Sequence, residues 1–216
     1  MEILFYLCLV AFFAGFVDAI AGGGGLIQTP LGLAFLPQLP VSSVIGTLKV
    51  PAFSGTAMAV RQYLKQTKVN WSFFLLLALL SFGSAFLGSY VLTIVSNDFM
   101  KPLLLGILLA LWVFTYFRKD FTRKKLTSIT PWQKYAWGVI IALVVGFYDG
   151  FIGPATGTFF IMGFIFLLGF DFFKASAYAK LINLVTNFGS ICLFLIKGAI
   201  VWKIAIPMAV CNGLGG

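Results

Sequence analysis

The sequence predicts an all-α, polytopic helical membrane protein made of two internal structural repeats with glycine-broken helices. Three observations carry this expectation. The 216 residues are 61% hydrophobic and 10% charged, with a mean hydropathy of +1.04, which is too little charge to cover a water-soluble domain. The apolar residues lie in long unbroken runs such as Trp71 to Val95, unlike the alternating ~10-residue segments of a membrane β-barrel and long enough to cross a hydrocarbon core as helices. The chain also repeats itself. Gly15, Phe16, Asp18, Gly22, Lys49 and Trp71 recur as Gly146, Phe147, Asp149, Gly153, Lys180 and Trp202, each pair 131 positions apart. A register held from Gly15 to Trp71 without slippage argues for duplication, and duplicated membrane halves meeting at a shared site are a frequent plan of secondary transporters.

Taken in order, the first apolar helix runs from about Ile3 to Ile20 and breaks at Gly22-Gly23-Gly24-Gly25. Ala19-Ile20-Ala21 imitates a leader-cleavage site. No basic residue precedes the apolar stretch, however, and the same segment recurs near Gly146 inside the chain, so it reads as a retained helix. Leu26 to Leu36 follows, bounded by Pro37 and Pro40. Eleven residues rise about 16 Å as helix, half of a ~30 Å core, so this piece is a re-entrant half-helix or part of a broken one. Val41 to Tyr63, Trp71 to Val95 and Pro102 to Phe117 complete a first repeat over residues 1–117. A basic linker spans 118–134. The second repeat, 135–216, reads as Trp137 to Ile152, a break at Gly153-Pro154, then Thr156 to Gly169, Phe172 to Ile196 and a helix opening near Trp202. The register maps Cys211 to Gly216 onto Leu80 to Ala85, after which the first repeat continues through another helix. The expectation is therefore a C-terminally truncated second repeat from a protein of roughly 250 residues, because a chain ending in mid-helix leaves backbone groups unsatisfied in lipid. Whether the broken segment crosses once or twice decides between parallel and inverted repeats. Broken helices accompany inverted repeats in many transporters, which favours inversion.

Charge placement sets the orientation. The net charge is +9, but the cations cluster as Arg61, Lys65 and Lys68 and as Arg118, Lys119, Arg123, Lys124, Lys125 and Lys134. That is the signature of cytoplasmic loops. It indicates a multi-pass membrane protein whose standing partner is the lipid bilayer, not nucleic acid. Trp71 and Trp202 open helices beside basic residues and read as interfacial anchors. The sequence leaves homo-oligomerisation open. Cys8, Cys192 and Cys211 sit singly in apolar runs and histidine is absent, so no metal site, cofactor motif or catalytic constellation is indicated and an enzyme is not expected.

The residues that stand out are polar groups at membrane depth. Asp18 and Asp149 each precede a glycine break by four residues. They read either as proton-coupling carboxylates or as caps for backbone freed at the break. Lys49 and Lys180 lie far from their segment ends, so they either bind an anion or neutralise the aspartates. Gly22, Gly23, Gly24 and Gly25, and the stretch from Gly153 through Thr156, expose backbone amides at a helix N-terminus, where the dipole favours anions. Thr47, Asn183, Asn187 and Asn212 are polar residues in apolar segments that either line a path or bond between helices.

Gly-Phe-Val-Asp-Ala-Ile-Ala-Gly-Gly-Gly-Gly followed by Gly-Thr-Leu-Lys, and Gly-Phe-Tyr-Asp-Gly-Phe-Ile-Gly-Pro-Ala-Thr-Gly followed by Ala-Tyr-Ala-Lys, resemble the TauE/SafE sulfite-exporter-like family. The resemblance covers Ile3 to Gly216. It implies a secondary transporter of small anions, sulfite or organosulfonates such as sulfoacetate, coupled to an ion gradient. Gly15, Asp18 and Gly22 to Gly25 match the first motif, and Gly146, Asp149, Gly153, Pro154 and Gly157 the second. Ala155 departs from it, a glycine being common there. On this basis the expected mechanism is alternating access, with Lys49, Lys180, Thr47, Asn183 and the glycine-break amides at the anion and Asp18 or Asp149 carrying a coupled proton. The rival readings are a cation transporter that uses the aspartates as ligands and a non-transporting membrane scaffold.

Overall fold

A computed structural model describes residues 2–117 and 129–216. The charged cluster from Arg118 to Lys125, and with it most of the expected linker, lies outside the described residues. Among those described there are nine helices and no strand: α1 (Glu2–Ala21), α2 (Gly24–Phe35), α3 (Val41–Gln66), α4 (Trp71–Ile94), α5 (Asn97–Phe117), α6 (Pro131–Phe151), α7 (Thr156–Leu168), α8 (Phe172–Ile196) and α9 (Trp202–Gly215). Helices α1, α3, α4, α6 and α8 are long and apolar enough to cross a membrane. The protein is a multi-pass, all-helical membrane protein.

Polar caps set several boundaries. Asn70 accepts the amide of Phe73 and opens α4, and Asp171 accepts the amide of Lys174 and opens α8. Thr130 and Gln133 form a reciprocal capping box ahead of Pro131, satisfying amides that the first turn leaves free. For this reason α6 starts six residues before the apolar run at Trp137. Likewise α5 starts at Asn97, five residues before Pro102.

Helix directions follow from a few contacts. Helix α2 folds back on α1, and the ring of Phe35 stacks on Tyr6 at 6.1 Å. Helix α7 folds back on α6, with Phe159 edge-on to Tyr148 at 5.3 Å and Gly163 against Ile141. At one end of the molecule the start of α3 meets the α8–α9 connection, where the Val201 amide donates to Thr47 Oγ1 at 3.0 Å. At the other end, the Asn70 amide donates to Tyr178 Oη at 2.8 Å, and Tyr63 Oη donates to Ala19 O at 3.2 Å. Helix α4 runs parallel to α6, with Phe73 beside Tyr135 and Ser89 bonded to the Gly150 carbonyl. Helix α9 runs parallel to α1, with Met208 packed near Leu7 and Asn212 bonded to the Ala11 carbonyl. Helix α1 thus starts at the first end and α6 at the second, so these two helices run in opposite directions.

Close approach between the halves depends on small residues. A Cβ on Gly150 would run into the backbone of Ala85, and one on Gly88 into the Phe147 carbonyl. A Cβ on Gly15 would meet the Asn212 carbonyl in the same way. The apolar core lies between α4, α6, α7 and α8 around Phe73, Leu77, Phe160, Phe164 and Tyr178. The periphery is also apolar, with Phe5, Phe13, Leu79 and Val144 among its exposed side chains, as a lipid-facing surface requires.

Candidate functional site

Both helical hairpins end in glycine-rich tips, and the two tips touch. Gly22 (φ 72°) and Gly153 (φ 91°) adopt the left-handed conformation that reverses the chain. A side chain on Gly22 would come within 2.7 Å of the Gly157 carbonyl carbon. The Thr158 amide donates to Gly22 O at 3.2 Å, and Thr158 Oγ1 donates to Ala21 O at 3.0 Å. The N-termini of α2 and α7 therefore converge, placing two positive dipole ends in one region.

The intramembrane charges pair across the halves. Lys49 Nζ of α3 lies 2.8 Å from Asp149 Oδ1 of α6 and donates to the Asp149 carbonyl at 2.6 Å. Lys180 Nζ of α8 lies 2.6 Å from Asp18 Oδ2 of α1 and donates also to the Asp18 carbonyl. Each lysine thus caps the C-terminal turn of the broken helix in the other half. There it meets a carboxylate, a backbone carbonyl and the negative dipole end together. Lys180 is 1% exposed, Asp149 2% and Lys49 5%, and groups so buried need such partners.

A narrow cavity of about 50 Å³ lies among these elements, room for a few waters at ~10–15 Å³ each. Asp18, Lys49, Asp149, Asn183, Asn187 and Asn212 supply its polar side walls, with Gln28 and Thr29 from α2 and Thr156 from α7. Gly22, Gly24, Gly25 and Gly153 bring backbone to the lining. Asn212 Nδ2 bridges Ala11 O and Gln28 Oε1 at 2.9 and 3.0 Å, and Gln28 Nε2 donates to Leu48 O at 3.0 Å. Asp149 Oδ2 is buried with no hydrogen-bond partner.

The model for the family described as "Sulfite exporter TauE/SafE" matches residues 7–216. This chain belongs to the TauE/SafE family. A Sinorhizobium protein named "Probable membrane transporter protein ORF9" is 36% identical over 99% of this chain and 80% of its own length. A Haemophilus influenzae protein named "Probable membrane transporter protein" is 35% identical over all of this chain and 83% of its own length. The Escherichia coli K12 protein YfcA, named in the same terms, is 31% identical over all of this chain and 77% of its own length. No solved structure matches the chain.

The structure gathers most, not all, of the residues singled out from the family motifs. Lys180 and Gly23 are not among the lining residues. Lys180 stands behind Asp18, and Gly23 ends the turn ahead of α2. Thr47 is also set apart. Its hydroxyl donates to Ser43 O at 2.7 Å and accepts from the Val201 amide, so it anchors the α8–α9 connection. Thr156 Oγ1 donates to Gly153 O at 2.7 Å and closes the turn before α7. Gln28 was not singled out. Its signal is the one that marks Asn183, a lone amide in an apolar run.

Proposed function

We propose that the chain moves a small anion, sulfite or an organosulfonate, across the cytoplasmic membrane by alternating access around the cavity between the hairpin tips, coupled to an ion gradient. One observation carries the reading. Two half-helix N-termini converge on a cavity that also holds an intramembrane lysine and three asparagines. Positive dipole ends and a cation favour a dehydrated sulfonate or sulfite, and broken helices meeting at a repeat interface place such sites in transporters. The family is described as a sulfite exporter family, and the relatives are named as probable membrane transporters. Asp18 and Asp149 provide carboxylates for a coupled proton. The basic end of α3 and the α3–α4 loop, with Lys65 and Lys68, face the cytoplasm under the positive-inside rule.

The test is flux of sulfite and sulfoacetate into vesicles containing the full chain, with and without an imposed proton gradient. Gradient-dependent uptake of either anion is the expected result. Uptake of a metal cation with neither anion moving would transfer the site to the aspartates. No flux of any of these solutes would leave a membrane scaffold.

A further inference from the structure

The reciprocal lysine–aspartate pairs look equivalent in sequence but are not equivalent in space. Lys49 and Asp149 both line the cavity. Asp149 is 2% exposed and its second carboxylate oxygen has no partner. Of the other pair only Asp18 reaches the lining. Its Oδ2 is held by Lys180 and also accepts a long bond from Thr56 Oγ1 at 3.4 Å. An anion in the cavity has direct access to the Lys49 ammonium, whereas Asp18 and the wall stand between it and Lys180.

Charge balance then constrains the cycle. The four groups together are neutral, so a monovalent anion entering as they stand would be an unpaired buried charge beside two carboxylates, which is strongly disfavoured. Protonating one carboxylate removes that obstacle and leaves a lysine without its counter-ion. Resting on the anion-transport reading above, we infer that Asp149 is the proton site and Lys49 the anion site, linked by competition. A proton from solution binds the carboxylate, the Lys49–Asp149 ion pair breaks, and the anion takes the place of the carboxylate on the ammonium. Lys49 keeps its bond to the Asp149 carbonyl, which holds the ammonium in the cavity wall during the exchange. Lys180–Asp18 stays closed throughout and holds α8 to the end of α1. The other charged groups facing Asp149 are few. Helix α3 brings Lys49, α1 brings Asp18, and α8 brings Lys180, already bound to Asp18. Helices α2, α4 and α7 bring no charged side chain. On α6 itself, Tyr148 donates to the Pro154 carbonyl.

Methanesulfonate is the suitable probe, because it stays ionised across the working pH range and carries no proton of its own. Binding to the purified full chain should draw about one proton per anion from a weakly buffered solution. In vesicles, an inward proton gradient should speed its uptake at least tenfold. Asp149→Asn should bring that acceleration close to one while keeping anion-for-anion exchange. Binding without proton uptake by the unsubstituted chain would overturn the inference even if Asp149→Asn does not fold. So would a gradient response that survives Asp149→Asn. Absence of methanesulfonate, sulfite and sulfoacetate flux in the unsubstituted chain would instead defeat the anion-transport reading itself.

Discussion

Lys49 and Lys180 each hold two oxygens of a single aspartate, one from the side chain and one from the backbone. Removing one member of such a pair strands its partner in a medium that cannot solvate it. Lys49→Met should therefore cost about 3–5 kcal/mol, the usual penalty for an orphaned buried charge, read as a fall in melting temperature in detergent. The double variant Lys49→Met/Asp149→Asn should recover most of that stability while remaining unable to bind the anion. Ala155 offers a test of opposite sign. It has φ 61°, a left-handed conformation that opposes any side chain. Ala155→Gly should relieve about 1 kcal/mol of strain and raise the melting temperature. The matched recurrence of aspartates and lysines was legible in the sequence because charge is rare at membrane depth. Their mutual neutralisation was one of its readings, but which aspartate each lysine meets was not legible. Sequence spacing within a half says nothing about which half supplies the counter-ion.

Among the elements, the apolar runs and the glycine breaks marked most helices to within a few residues. Helices α5 and α6 start earlier than hydrophobicity indicates; in α6 the polar capping box of Thr130 and Gln133 sets the start. Periodicity and repeat register also leave helix contacts undetermined, since what brings α4 against α6 is the absence of side chains at a few positions. Two glycines test this. Gly150 has no room for a Cβ, while Gly83 has nothing within 4 Å of one. Gly150→Ala should push α6 off α4, lowering the yield of folded protein and the melting temperature by several degrees. Gly83→Ala should be neutral or stabilising by up to about 1 kcal/mol, the ordinary gain from replacing a helical glycine.

At the level of the whole molecule, two connections lie at opposite ends. The α3–α4 connection and the start of α6 lie together at one end, marked by the Phe73–Tyr135 contact, and the α8–α9 connection lies at the other, beside the start of α3. A membrane-impermeant thiol reagent should label Lys68→Cys only from the cytoplasmic side and Gly198→Cys only from the opposite side, in a chain whose three native cysteines are replaced. Labelling of both from one side would contradict the arrangement. In the sequence, Arg61, Lys65 and Lys68 cluster near the α3–α4 connection. The sequence could not supply the meeting of the two hairpin tips, which depends on the packing of Gly22 against Gly157 across the molecule.

The crossed pairing also bears on how the chain is made. While the ribosome is still synthesising the second half, Asp18 and Lys49 are already in or near the bilayer, and neither has received its partner. The carboxylate waits for a lysine 162 positions downstream, and the ammonium for an aspartate 100 positions downstream. Until they arrive, the newly inserted helices remain incompletely neutralised and have reason to stay beside the translocation machinery, away from open lipid. Neutralisation of the first half's intramembrane charges thus waits on synthesis of the second half.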